Sequence, residues 1–400
     1  MAFDNAASIG GLVQTIGSTF LFVAVFSACV LTAAPNQVER YAGVVMLGGL
    51  TFVFQSSLYF WCHNKGWVSL LVTTAWTIFW HTLEMLLVSN VALPDIKELV
   101  KQRRKPAVSG SKTPLSVGQL VVCTSSLLCN WRRIGTKWQI PNLPRFSSDG
   151  SVPGKAKFLF WSLLKIAGSY LMMSIFSVAP PPNPDMIALH NREFFSRLDD
   201  ITKGEAIFRV ASTAIFFINV ALMVTMWYYL VCVVSVVLGL AGPEDCPPFY
   251  GSLANAYTLR GLWRNIHQGL RKCVSGPADA FAGSVLRLPR GTFVSRCVRL
   301  VLAFSISAMI HAQADLAMRI PFAEAGQFYF FSVQALGIIF ESAVQEMCTR
   351  TEVRFPHVLQ RGLGYIWVIS WFCWVTPTWS YTMMRHMDPV KDGIVMPLVQ

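Results

Sequence analysis

Apolar and polar positions along the chain segregate into long blocks. Residues 5–38 carry no charged side chain, and neither does the stretch between Arg299 and Asp315. About 20 consecutive apolar residues cross a bilayer as a helix. Runs of that length predict about eight spans, at residues 8–33, 41–62, 67–93, 158–179, 207–239, 300–318, 327–347 and 363–384. The fifth is long enough to be tilted, broken or partly interfacial. The first follows Asp4 rather than a basic segment, so it reads as a retained helix and not a cleaved signal peptide. The expected fold is an all-α, polytopic transmembrane helical bundle.

The loops give this bundle an orientation. Residues 94–157 hold twelve Lys/Arg against three Asp/Glu, and residues 240–299 hold eight against three. The loop at 180–206 has five acidic residues against three basic ones. Counting spans places both basic loops on one side, which the positive-inside rule makes cytoplasmic, with both termini lumenal. Three regions are expected: N-terminal transmembrane helices at 1–93, a basic cytosolic loop at 94–157, and a core at 158–400. Residues 105–118 read as a flexible linker. No internal repeat of the kind that marks many transporters is visible.

Composition agrees with the membrane reading, since 54% of the residues are hydrophobic and only 14% charged. Soluble domains carry about 25% charge. The net charge of +12 sits in loops and comes with no nucleic-acid-binding motif, so anionic lipids and anionic cofactors are the better partners. Ten scattered cysteines show no metal-ligand spacing and read as buried, reduced thiols.

Two segments carry candidate chemistry. In "PPFYGSLANAYTLRGLWRNIHQGLRK" (247–272) a helical pattern starts at Ser252. Leu259, Leu262, Trp263, Ile266 and Leu270 form one stripe, and Arg260, Arg264, His267 and Arg271 an adjacent one. This predicts an interfacial amphipathic helix, with Trp263 at headgroup depth and the arginines free to bind either lipid phosphates or a phosphorylated cytosolic ligand. In "SISAMIHAQAD" (305–315), His311 lies about 18 Å along a helix from Arg299, near the bilayer midplane. Ser307 and Asp315 are one turn to either side. An intramembrane histidine is a satisfied core residue, a proton relay in a transporter, or a general base in a membrane enzyme. Further intramembrane polar residues are His81 and Glu84, expected to pair with each other, and Glu341, a candidate to line a cavity with His311. Lys165 and Arg209 are expected to snorkel toward the interface.

The quoted segments resemble the wax-synthase-like membrane-bound O-acyltransferase family. "PPFYGSLANAYTLRGLWRNIHQ" is similar to that family's "AYSLR-x-FW" region and the "WHQ" that follows. "SAMIH" (Ser307–His311) is similar to its "SGxxH", and "NWRRIGTKWQIPNLP" (Asn130–Pro144) to a "RGIGTPWQ" stretch of the fungal branch. Leu262 stands where phenylalanine is usual, Ile266 where tryptophan precedes the histidine, and Ala308 where glycine is. The resemblance covers about residues 125–380.

It implies an O-acyltransferase of the endoplasmic reticulum that moves an acyl group, often acetyl, from CoA to a lipophilic hydroxylated metabolite such as a terpenoid. His311 would then be the general base, with Asn265 and His267 as donors to the thioester oxygen. Arg260, Trp263, Arg264, Gln268 and Arg271 would bind acyl-CoA, a co-substrate rather than a tightly bound cofactor. Ser307, Asp315 and Glu341 would line the substrate tunnel. No metal is implied, and no GxSxG or Cys/His arrangement suggests an acyl-enzyme. A long-chain wax ester synthase, a transporter and a catalytically inactive relative acting as a binding protein are the competing readings.

Overall fold

A computed structural model describes residues 2–103, 115–266, 268–352, 356–388 and 391–394. Most of the 105–118 linker and His267 lie outside these residues. The described chain is helical, with no strand among the described residues. The helices are α1 (Ala2–Thr32), α2 (Val38–Trp61), α3 (Lys65–Leu83), α4 (Leu93–Arg103), α5 (Val117–Cys129), α6 (Lys155–Ser177), α7 (Lys203–Val237), α8 (Leu259–Ile266), α9 (Arg271–Ala280), α10 (Phe293–Ala317), α11 (Gln327–Arg350), α12 (His357–Val375) and α13 (Pro377–His386). A π-helical turn, Glu84–Val88, extends α3.

Among the described residues, seven of these are long and apolar enough to cross a membrane: α1, α2, α3 with its π turn, α6, α7, α10 and α11. The long fifth span is one unbroken helix of 35 residues. The eighth expected span, 363–384, does not form one helix. It ends with α12 at Val375, and Pro377 opens α13. Proline has no N–H for the continuing ladder and clashes with the preceding turn, but it suits the first turn of a new helix. Large apolar side chains stay exposed, among them Phe20 on α1, Phe52 on α2, Phe160 on α6 and Ile207 on α7. A water-facing surface would not tolerate so much apolar area, whereas lipid does.

The helices form two compact units that interleave along the sequence. The first comprises Met1–His63, Val68–Ile140 and Gly269–Met318; the second Asn64–Trp67, Pro141–Gln268 and Arg319–Gln400. In the first unit α1 and α2 approach closely. Gly43 permits this, because a Cβ there would fall 2.3 Å from Cys29 Sγ. Phe26, Val30, Leu47, Leu86, Ile96 and Leu127 fill the core. Arg40, fully buried, donates to Ala33 O at 3.0 Å, Leu86 O at 2.9 Å and Val91 O at 2.8 Å. Its charge thus satisfies carbonyls that the π turn and the loop after it leave open.

In the second unit Arg209 departs from the snorkelling expectation. It is 2% exposed, its guanidinium donates to the carbonyls of Asn191 and Glu193, and it lies 5.3 Å from the Phe194 ring centroid. It therefore pins the 180–200 loop onto α7 from inside the protein. Lys165 is exposed but bonded, with Nζ donating to Tyr229 Oη at 2.8 Å.

Glu324, before α11, takes His386 at 2.9 Å and Arg385 at 3.4 Å. The His386 hydrogen bond and the nearby arginines hold its carboxyl below the usual glutamate range. A depressed folded-state pKa contributes stability above the unfolded value, near 4.3, and loses it as pH falls through the folded value. Glu324→Gln is expected to cost about 0.5–1 kcal/mol at neutral pH, the range of partly exposed pairs. Melting curves at pH 7 and below 4 check this, with the gap between wild type and variant closing in acid.

Candidate active site

In the first unit α10 starts at Thr292, whose side chain accepts the Ser295 N–H at 3.2 Å. Arg299 holds its first turns by donating to Asp279 O at 2.9 Å and Asp279 Oδ1 at 3.1 Å. Beyond Arg299 the helix is uncharged up to Asp315. Ile306 and Ile310 pack with Ala278 and Val274 of α9 and with Trp76 and Trp80 of α3. Ala308, standing where a glycine is usual, is fully buried. Ser307 and Asp315 are 8% and 2% exposed, and His311 between them is half-buried. The polar stripe expected from the sequence therefore lies on one helical face, largely out of water. An imidazole with a carboxylate one turn away is suited to base chemistry, since a carboxylate can fix the tautomer.

The α8 region differs from its expectation. Residues 252–258 do not continue the helix; they hold a single 3-10 turn, Leu253–Asn255. Their carbonyls are taken by α12 instead: Arg361 donates to Ala254 O at 2.6 Å and Tyr365 to Leu253 O at 3.0 Å. The helix then runs for only eight residues, so Arg260 and Arg264 share α8, whereas Arg271 opens α9 in the first unit. Arg264 and Arg271 are exposed. Arg260, also exposed, spends one N–H on Ser342 Oγ at 3.0 Å.

Trp263 is not an interfacial anchor. Its Nε1 donates to Gln334 Oε1 at 3.2 Å, and its ring packs within 5.9–6.4 Å of those of Phe330, Phe331 and Phe372. The hydrophobic stripe of α8 is therefore answered by protein, and Trp263 holds the helix in place. Asn265 closes a loop, donating from Nδ2 to Ser252 O at 3.2 Å and accepting the Gly251 N–H on its main-chain oxygen at 3.2 Å. Gly251 is needed there, since a Cβ would meet Asn265 Oδ1 at 2.6 Å. Gln268 is buried.

Glu341 caps α8. Its Oε2 accepts the Leu259 N–H at 2.6 Å, in a site where Leu259 is fully buried. Helix starts leave such N–H groups open, and a carboxylate answers both the donor and the dipole. Glu341→Ala is expected to cost about 1–2 kcal/mol, as for a lost N-cap, and to loosen α8. Hydrogen exchange at 259–263 checks it, with faster exchange there than elsewhere in the second unit.

The expected His81–Glu84 pair is absent. His81 Nε2 lies 3.0 Å from Leu127 O, and Glu84 forms a fully buried ion pair with Arg133. Glu84 Oε1 also accepts Ser89 Oγ at 2.8 Å and lies 3.9 Å from Lys272 Nζ. Arg133 belongs to the "NWRRIGTKWQ" segment, so that segment supplies an internal countercharge. Sequence reasoning missed this pair because the two residues are 49 apart; the only local hint was an acid, Glu84, inside an apolar run.

Among the described residues, the all-helical fold, the seven membrane-length helices and the Ser/His/Asp stripe on one of them define an integral membrane protein with a candidate enzymatic base. Comparison with known proteins agrees. Residues 246–333 match the model of the membrane bound O-acyl transferase family. Acetyltransferase aurG of Calcarisporium arbuscula is 28% identical over 74% of this chain and 71% of its own. Acetyltransferase ataH of Aspergillus terreus is 28% identical over 68% of this chain and 93% of its own. Acetyltransferase pyr8 of Aspergillus fumigatus is 30% identical over 66% and 65%. No solved structure matches. Over residues 246–333 the chain is thus similar to the membrane-bound O-acyltransferase family, and with these relatives it reads as an acyltransferase.

Proposed function

We propose that the protein is an O-acetyltransferase that moves the acetyl group of acetyl-CoA to a hydroxyl of a lipophilic secondary metabolite, such as a terpenoid or meroterpenoid, at the endoplasmic reticulum membrane. The observation that carries this reading is the polar stripe on α10, half-buried His311 between buried Ser307 and Asp315. The relatives' names as acetyltransferases support acetyl as the transferred group.

An alcohol is a weak nucleophile and needs a base as it attacks. Neutral His311 takes the hydroxyl proton while the alcohol oxygen bonds to the thioester carbonyl carbon. The carbon–sulfur bond then breaks, CoA leaves as thiolate, and the imidazolium returns the proton to sulfur. Asp315 orients the imidazole, and Ser307 offers a hydroxyl to the acceptor. Asn265 keeps one amide N–H beyond its bond to Ser252 O, which, with His267, is assigned to the thioester oxygen. Arg260, Arg264 and Arg271 suit the phosphates of CoA, because guanidinium forks match phosphate oxygens. Gln268 completes the donor set. Trp263 and Glu341 hold α8, which carries Arg260, Arg264 and Asn265. The region 94–157 is assigned to the cytosol and 158–400 to the acyltransferase core.

The test is metabolite profiling of native cells with and without the protein, followed by microsomal assays with labelled acetyl-CoA. An acylated product that vanishes while its alcohol accumulates supports the reading. Its mass difference names the acyl group, and a long-chain difference would replace acetyl transfer with wax ester synthesis.

A further inference from the structure

A cavity of about 270 Å³ opens in the second unit along the first half of α6, with Ser147, Ser151, Lys157, Trp161, Lys165 and Tyr229 in its lining. Two lysines line it and no carboxylate does. Lys165 lies ten residues into a membrane-length helix, roughly 15 Å from its start, where an ammonium needs a partner. The partner it has is neutral: the Tyr229 hydroxyl at 2.8 Å, with the ring centroid 4.2 Å away. Among the described residues no carboxylate is within ion-pair distance of Lys157 or Lys165. The acid nearest in sequence, Asp149, is held by its own loop, accepting the Ser151 N–H at 3.1 Å, Ser151 Oγ at 2.9 Å and the Ser147 hydroxyl.

The start of α6 sharpens the imbalance. Its N-cap, Gly154, offers no side chain, and its first turn has no acidic residue. A helix start favours negative charge, yet this one carries Lys155 and Lys157. Lys157, Trp161 and Lys165 recur every four residues, so they share one side of α6 and line the cavity together. The same helix exposes Phe160, Leu163 and Leu164, at 58%, 54% and 49%. Positive charge and an apolar face are thus continuous along one element.

We infer that this groove binds an anionic phospholipid. The phosphate sits between Lys157 and Lys165, and the acyl chains lie along Phe160, Leu163 and Leu164. A soluble phosphate compound such as CoA answers the charge but not the apolar face. On the positive-inside orientation the groove faces the leaflet richer in anionic lipid. The inference stands apart from the acetyl-transfer reading.

The test uses the purified full chain, stripped with detergent and titrated with phosphatidylglycerol, phosphatidylcholine or CoA under native mass spectrometry. Wild type should retain phosphatidylglycerol in preference to phosphatidylcholine, and Lys157→Gln/Lys165→Gln should weaken that retention on the order of tenfold. Lys157→Arg/Lys165→Arg should restore it. Lys157 is exposed, so Lys157→Gln alone gives a smaller loss in the same direction if the double variant does not fold. Equal retention of the two lipids by wild type, or unchanged retention in a folded Gln variant, overturns the inference. So does displacement of phosphatidylglycerol by CoA, which would assign the cations to the acyl donor.

Discussion

His311→Ala is expected to lower acyl transfer by about 10²–10⁴-fold, the usual contribution of a positioned acid–base group, with protein abundance unchanged. The position tolerates truncation because the imidazole is only half-buried and the packing of α10 rests on Ile306, Ala308 and Ile310. The measurement is CoA release and acetylated product in microsomes, normalised to protein by blot. Loss through kcat with KM for acetyl-CoA little changed is the signature of a base, which acts in the transition state rather than in donor binding. Full activity in an abundant His311→Ala protein would make the histidine a packing residue. A gradient-driven flux that depended on it would return the transporter reading.

The second large effect concerns stability. Glu84→Ala leaves the Arg133 guanidinium buried with its countercharge gone, and breaking a buried pair this way costs about 3–5 kcal/mol. Arg133 is 1% exposed and Glu84 is fully buried, so solvent cannot screen the loss. Gly276 of α9 adds to it, because a Cβ there would lie 2.5 Å from Glu84 Cγ, so α9 sits directly on the carboxylate. Glu84→Ala should therefore melt far below wild type in detergent. Glu84→Gln/Arg133→Met, which removes both charges at similar volume, should recover much of the difference. If the double variant were as unstable as Glu84→Ala, lost packing against Gly276 rather than the stranded charge would account for the drop.

The spans were legible because a membrane helix needs only a local signal, a long and mostly apolar run, and α1, α2, α6, α7, α10 and α11 each carry one. The Ser307/His311/Asp315 stripe was legible for the same reason, since residues four apart in one helix must share a face. What could not be read locally was where a side chain meets a distant element. Periodicity extended α8 back to Ser252, but Arg361 and Tyr365 of α12, over a hundred residues later, claim the carbonyls there. Trp263 looked like an interface anchor until Phe330, Phe331 and Gln334 supplied its surroundings. Glu341 carried the right prior, that an intramembrane acid has a job, but the helix it caps begins 82 positions earlier in the chain. The eighth span failed on a local cue, Pro377, whose effect outweighs the apolar residues around it.

The Arg40 clamp has a consequence for how the chain is made. Two of its carbonyl acceptors, Leu86 O and Val91 O, lie 46 and 51 residues downstream. Synthesis runs from the N-terminus at roughly 5–20 residues per second, so α2 emerges several seconds before those partners exist. Through that interval the guanidinium has to stay in the aqueous interface at the start of α2. The α1–α2 hairpin therefore enters the bilayer unfinished, and the ribosome's delivery of α3 and its π turn is the event that draws the charge in and locks the hairpin.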